Sequence, residues 1–147
     1  MSSHELTLES PILGTIRYPV SKVFRFTEPP LGLPDMQRFL LLKDGDLYWL
    51  QNIDLPRLVL VAVDPIQLFG YDLEIGYEDQ REIQATTEEA ILVLSLVQLH
   101  PDPNKNTCNL HAPIILSQES HLAMQLLLRR TDVPRYMPLG AHIGVGA

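Results

Sequence analysis

Tyr48-Trp49-Leu50 and Leu58-Val59-Leu60-Val61-Ala62-Val63 are two apolar runs, separated by the connection Gln51-Asn52-Ile53-Asp54-Leu55-Pro56-Arg57 and closed by Asp64-Pro65. The spacing predicts two strands joined by a loop of several residues. In the second run Val59, Val61 and Val63 take one face and Leu58, Leu60 and Ala62 the other. A segment apolar on both faces reads as a strand covered on both sides. Asp64-Pro65 stops it, because proline supplies no ladder donor and biases its predecessor toward a turn. No catalytic motif lies in this stretch.

Upstream, the run Arg38 to Lys43 meets Leu47 to Leu50 across Asp44-Gly45-Asp46. Asp-Gly between two such runs predicts a hairpin, since glycine tolerates the positive φ of a tight turn. Val23 to Phe26 alternates as a short strand and ends at Glu28-Pro29-Pro30-Leu31-Gly32-Leu33-Pro34, whose proline density forbids a ladder. Asp35 to Gln37 reads as one capped helical turn. Weaker strands are expected at Glu5 to Leu8 and Gly14 to Arg17, around Ser10-Pro11.

Downstream, a strand is expected around Tyr71 to Ile75 and a short surface helix over Tyr77 to Ile83, where acidic residues come early. Thr86 to Glu89 makes a polar break with a single turn. Ala90 to Leu99 is the longest strand candidate, closed by His100-Pro101-Asp102-Pro103-Asn104. Thr107 to Leu110 and Ile114 to Ser117 follow, with Pro113 marking an edge, a bulge or a strand start. His121 to Arg130 leans to helix on propensity alone. Residues 1–10 and 138–147 read as loosely held ends. Eight to ten short strands, mostly antiparallel, with one or two short helices, make an all-β sandwich or barrel; the connections are too short for parallel α/β crossovers.

The 147 residues suffice for a single domain, 1–147, and 46% hydrophobic with 20% charged residues is the profile of a chain that folds alone. A formal charge of −7 and a pI near 5.1 argue against binding a nucleic-acid backbone. Cys108 is the only cysteine, so no internal disulfide forms. The start Met-Ser-Ser-His-Glu has no signal-peptide pattern, and Ala90 to Val97 is far shorter than the roughly 20 residues of a membrane helix. The expectation is a cytoplasmic protein with no membrane contact.

His100, Cys108 and His111 lie close in sequence, and Cys108-x-x-His111 has a spacing that metals use. They are the residues on which a small-molecule-binding or metal-binding barrel, or an enzyme with a cysteine nucleophile, would rest. Structural zinc wants four ligands and a nucleophile wants an oriented partner, so a buried cysteine with surface histidines is the favoured reading. Trp49 is expected in the core. Asp54, Asp64 and Asp102 form a candidate acidic contact surface, weighed against plain turn capping beside Pro56, Pro65 and Pro103.

Phe24-Arg25-Phe26, then Gly32-Leu33-Pro34 and Arg38-Phe39, then Trp49-Leu50-Gln51 with Asp54 and Pro56, then Val63-Asp64-Pro65, and finally Asn109-Leu110-His111-Ala112-Pro113-Ile114 together resemble the flagellar assembly factor family FliW. The resemblance runs from about Gly14 to Leu128. It implies a compact β-barrel without catalytic activity or cofactor, a monomer that binds flagellin and the RNA-binding repressor CsrA. Flagellin occupying such a protein releases CsrA, and free protein holds CsrA, so synthesis follows assembly. The family pattern also turns Leu122 to Leu128 into a strand of the final hairpin, against its helix propensity. Asn109 and Pro113 carry the family motif and join the three aspartates as candidate partner contacts, with pinning of backbone amides as their structural alternative. The loop departs from the family by an extra Pro-Pro-Leu and by Asp35-Met36 in place of Gly-Phe. Acidic charge suits a basic partner such as an RNA-binding repressor.

Overall fold

The computed structural model describes residues 5–140. Its strands are β1 (Glu5–Ser10), β2 (Gly14–Pro19), β3 (Val23–Phe26), β4 (Arg38–Asp44), β5 (Leu47–Asn52), β6 (Val59–Val63), β7 (Ile91–Gln98), β8 (Thr107–Asn109), β9 (Ile114–Ser117), β10 (Leu122–Gln125) and β11 (Tyr136–Pro138). Two short helices, α1 (Pro65–Phe69) and α2 (Tyr77–Glu82), lie between β6 and β7.

Seven strands close a ring in the order β3-β4-β5-β6-β7-β9-β10, with β10 returning beside β3. All contacts of the ring are antiparallel except β10 with β3, which is parallel. The eight-residue β7 makes the closure possible by serving two neighbours along one edge: Ile91 to Leu94 pair with β9, and Val97 and Gln98 pair with β8. β8 and β11 therefore branch off as a side sheet. The hairpin β1-β2 stands apart as a two-stranded sheet.

Side-chain alternation fills the ring from within. Phe24, Phe26, Phe39, Leu50, Ala62, Leu94, Ile114, Leu116 and Ala123 form the interior, and Met36 joins them from the loop before β4. The outer wall is covered in three places: the β1-β2 hairpin packs Leu8 and Tyr18 on Leu40, Tyr71 and Leu139 pack on Val63, and Ile83 packs on Val93 and Ile115. This external cover is why the β6 sequence is apolar on both faces.

The β4-β5 hairpin forms as expected, with Gly45-Asp46 as the two loop residues and Gly45 at φ +60. Asp64 does more than end β6. Its Oδ1 accepts from the backbone N–H of Ile66 and Gln67, Pro65 opens α1, and Gly70 closes it in the left-handed region. Asp64→Ala is expected to cost about 0.5–2 kcal/mol in urea unfolding.

The all-β barrel of short strands with two short helices is as expected, with eleven strands among the described residues. Several expectations are corrected. Tyr71 to Ile75 is not a strand: the Tyr71 hydroxyl donates to Leu110 O at 2.8 Å, and Leu73 and Ile75 pack on the outer wall, so this segment covers the barrel without extending a ladder. Asp35 to Gln37 makes turns instead of a helical turn. Trp49 is half-buried and lies outside the interior, because its cross-strand neighbours Leu42 and Val61 share the outer face while Leu50 points inward. Loosely held ends do not describe Glu5–Ser10, which pairs along its whole length, or Pro138 and Leu139, the latter fully buried. The remainder of both ends, 1–4 and 141–147, lies outside the described residues. The strand expected over Leu122 to Leu128 is β10 as far as Gln125, held by β3 on one side and β9 on the other. Two-sided pairing overrides the helix propensity there.

Candidate protein-docking surface

One end of the barrel gathers the last residues of β3, β5 and β10 with the first residues of β4, β6 and β9. The loops at that end contain the motif residues Gly32 to Pro34, Asp54, Pro56 and Leu110 to Pro113, and a set of side-chain amides ties them together. Asn52, fully buried, donates from Nδ2 to Asp35 O at 2.8 Å and accepts at Oδ1 from Leu55 N–H at 2.7 Å. Gln51, also fully buried, donates to Pro56 O at 2.8 Å and to Asn52 O at 3.0 Å. Gln125 accepts from Leu31 N–H at 2.9 Å and donates to Ala112 O at 3.4 Å. Asn109 accepts from His111 N–H and Ala112 N–H, so the pinning of backbone amides expected of it is observed. The buried Pro113 supplies the carbonyl that accepts from Leu126 N–H at 2.8 Å.

Each buried amide in this set fixes one loop to a strand end, so the loops form a defined surface. On it, Leu31 is 76% and Leu127 67% exposed, and both line the same two surface hollows. A hollow of about 400 Å³ lined by Gly32, Leu33, Pro34, Leu55 and Leu58 lies beside the same loop. Gly32 at φ +80 lets the loop reverse there.

Asp54 belongs to this end. It is exposed and forms a two-point ion pair with Arg38, 2.7 Å from Nη2 to Oδ1 and 3.3 Å from Nε to Oδ2. That hydrogen bond holds its carboxyl below the usual carboxylate range. A lowered folded-state pKa gives stability that is present above the unfolded value and lost as pH falls through the folded one. Arg38→Leu is therefore expected to flatten slightly the acid limb of a stability-against-pH curve, a small effect for a solvent-screened pair.

Asp64 lies at the opposite end of the barrel, capping α1, and Asp102 caps the 3-10 turn Pro103–Lys105 through Asn104 N–H. Asp64 and Asp102 thus perform the turn capping expected beside Pro65 and Pro103. Asp54 does not cap a turn; the neighbouring Asn52 takes that role.

The alternative set His100, Cys108 and His111 is not brought together. Cys108 is fully buried among Val63, Tyr71, Leu110 and Leu139, His100 accepts from Asp102 N–H on the exposed side, and a ring nitrogen of His111 pairs with Val133 O at 2.9 Å. Among the described residues no group of three or more His, Cys, Asp or Glu is arranged to hold a metal ion. Burial pushes the Cys108 thiol up to about 12, so it stays protonated and inert at neutral pH. A disulfide-exchange reagent is expected to leave it untouched in native protein and to modify it on unfolding; prompt reaction in native buffer would contradict this.

Sequence reasoning missed Asn52 and Gln125. The available signal for Asn52 was a polar Gln51-Asn52 pair continuing an apolar run, which is where a buried amide sits when it serves a neighbouring loop.

The profile of the family described as FliW protein matches residues 7–139 of this chain. The chain belongs to the FliW family. Among FliW relatives, the flagellar assembly factor of Carboxydothermus hydrogenoformans is 29% identical over 135 residues, covering 89% of this chain and 88% of its own length. The flagellar assembly factor of Oceanobacillus iheyensis is 31% identical over 130 residues, with 84% and 86% covered. A crystal structure of the flagellar assembly factor FliW superposes with a TM-score of 0.82, at 22% identity, over 91% of this chain and 96% of that one, so the FliW barrel is shared. No helix among the described residues is long and apolar enough to cross a membrane.

Proposed function

We propose that this chain is a cytoplasmic, monomeric flagellar assembly factor without catalytic activity. In this reading it binds flagellin and the translational repressor CsrA, and couples flagellin synthesis to assembly by exchanging one for the other. The observation that carries the reading is the FliW profile over residues 7–139, since relatives over nearly the same span are named flagellar assembly factors. The barrel adds support: its interior is packed with side chains and leaves recognition to the wall and loops. In this reading Asp54, Asn109 and Pro113 belong to the partner-facing end, while Asp64 and Asp102 contribute charge outside it. The acidic surface, −7 overall, speeds encounter with a basic repressor and leaves RNA to that partner.

Calorimetric titration with purified flagellin and with CsrA tests the reading directly. Saturable binding of both, with one displacing the other, is the expected result. Failure of both proteins to bind would remove it.

A further inference from the structure

Beyond Gln125 the chain keeps strand pairing on one side and loses its neighbour on the other. Leu126 and Leu128 donate to Pro113 O and His111 O, each at 2.8 Å. Backbone alternation then turns the N–H groups of Leu127 and Arg129 to the opposite side, the one on which β3 accompanies Leu122 and Ala123. β3 departs after Thr27 donates to Ala123 O at 2.9 Å, because Glu28-Pro29-Pro30 cannot continue a ladder. Among the described residues nothing accepts from Leu127 N–H or Arg129 N–H, and both residues are exposed. A closed barrel abolishes edges, yet among the described residues this wall has a short edge left open at Leu127 and Arg129.

The surroundings of that edge are specific. Leu31 and Leu127 both line two adjoining hollows of about 460 and 410 Å³. Glu28, Glu78, Asp79 and Glu82 border the first, beside Met124 and Gln125; Arg129 and Arg135 border the second. Charge thus changes sign along the edge, with the two exposed leucines at the join.

We propose that the Leu127–Arg129 edge takes up an extended peptide segment of a partner protein as an added strand. Its apolar side chain seats between Leu31 and Leu127, its cationic end lies over the four carboxylates, and its anionic end lies at the two arginines. Main-chain hydrogen bonds then supply affinity, and alternate side chains supply selectivity. The edge lies between the proline-rich loop and α2, whose residues line the same hollow as Leu127. The proposal rests on the reading of this chain as a docking protein.

The test is amide hydrogen exchange at Leu127 and Arg129, with three probes: flagellin, CsrA, and a synthetic peptide of sequence Lys-Thr-Val-Thr-Leu-Thr-Glu with blocked ends, alongside its charge-reversed form. Both amides are expected to exchange freely in the unbound protein and to slow by about tenfold or more with at least one probe. Leu127→Pro removes a donor that the fold does not use, so its thermal midpoint is expected to stay within a few degrees while binding weakens about tenfold or more. Leu127→Thr keeps the donor but removes the apolar seat, and is expected to bind more weakly than the parent while still slowing the two amides more than Leu127→Pro does at Arg129. If no probe slows these amides, if Leu127→Pro binds as well as the parent, or if protection rises with protein concentration alone and marks a second copy, the proposal is overturned. Should flagellin and CsrA bind while no probe slows these amides, the functional reading stands and this inference falls; should neither protein bind while the peptide slows them, the reverse holds.

Discussion

Phe39→Ala is expected to destabilise the fold by about 3–5 kcal/mol. Phe39 is fully buried at the centre of the ring interior, stacked on Phe24 at 5.6 Å between centroids and tilted against Phe26 at 5.1 Å. Its removal deletes a large apolar side chain and two aromatic contacts, and the closed wall cannot collapse onto the space. Strand pairing through β3, β4 and β5 holds the surrounding backbone in place. Denaturant unfolding followed by far-UV circular dichroism measures the effect as a lowered midpoint at constant slope. Leu42→Ala, on the half-buried outer face of the same strand, is the comparison and is expected to cost distinctly less. Equal losses at the two positions would mean that the interior is not the principal source of stability.

Asn52→Leu is expected to cost about 1–3 kcal/mol, because it leaves the Leu55 N–H without a partner and removes one of the two donors to Asp35 O. The shape of the side chain is nearly conserved, so the loss isolates the polar role from packing. Asp35 O keeps only the Gln37 N–H as donor, and Leu55 N–H loses its acceptor. The change also frees the Leu33 to Gln37 loop from the end of β5, and amide exchange in that loop is expected to quicken while the interior strands stay protected until global unfolding. A variant with normal stability and unchanged loop exchange would show that the amide is dispensable.

The parts of the fold legible in sequence are those with local causes. The hairpin at Gly45-Asp46, the stop at Asp64-Pro65 and the α2 helix follow from turn chemistry, proline and early acidic residues. The expected strand at Tyr71 to Ile75 failed because apolar content alone does not distinguish a strand from a covering loop; the difference lies in whether a ladder edge is free to receive it. Trp49 failed for a related reason. Periodicity assigns Leu50 and Trp49 to opposite faces, but which face is the interior depends on the direction in which the sheet curls. Cys108 and His111 are close in sequence and differently engaged in space, since the alternation of β8 buries the thiol while the Asn109 turn carries the histidine to Val133.

By itself, the sequence determined that this protein would be a chain of short strands with little room for helices, acidic at its surface, and of the FliW kind. Those properties are carried by composition, turn residues and motif order, all of which act within a few residues. Tertiary structure alone decided that β10 returns beside β3 to close seven strands into a ring, and that the closure fails just past Thr27, where prolines draw one strand away and leave its neighbour's amides unpaired. Pairing between residues about a hundred positions apart depends on the whole barrel's curvature, and no local pattern encodes it.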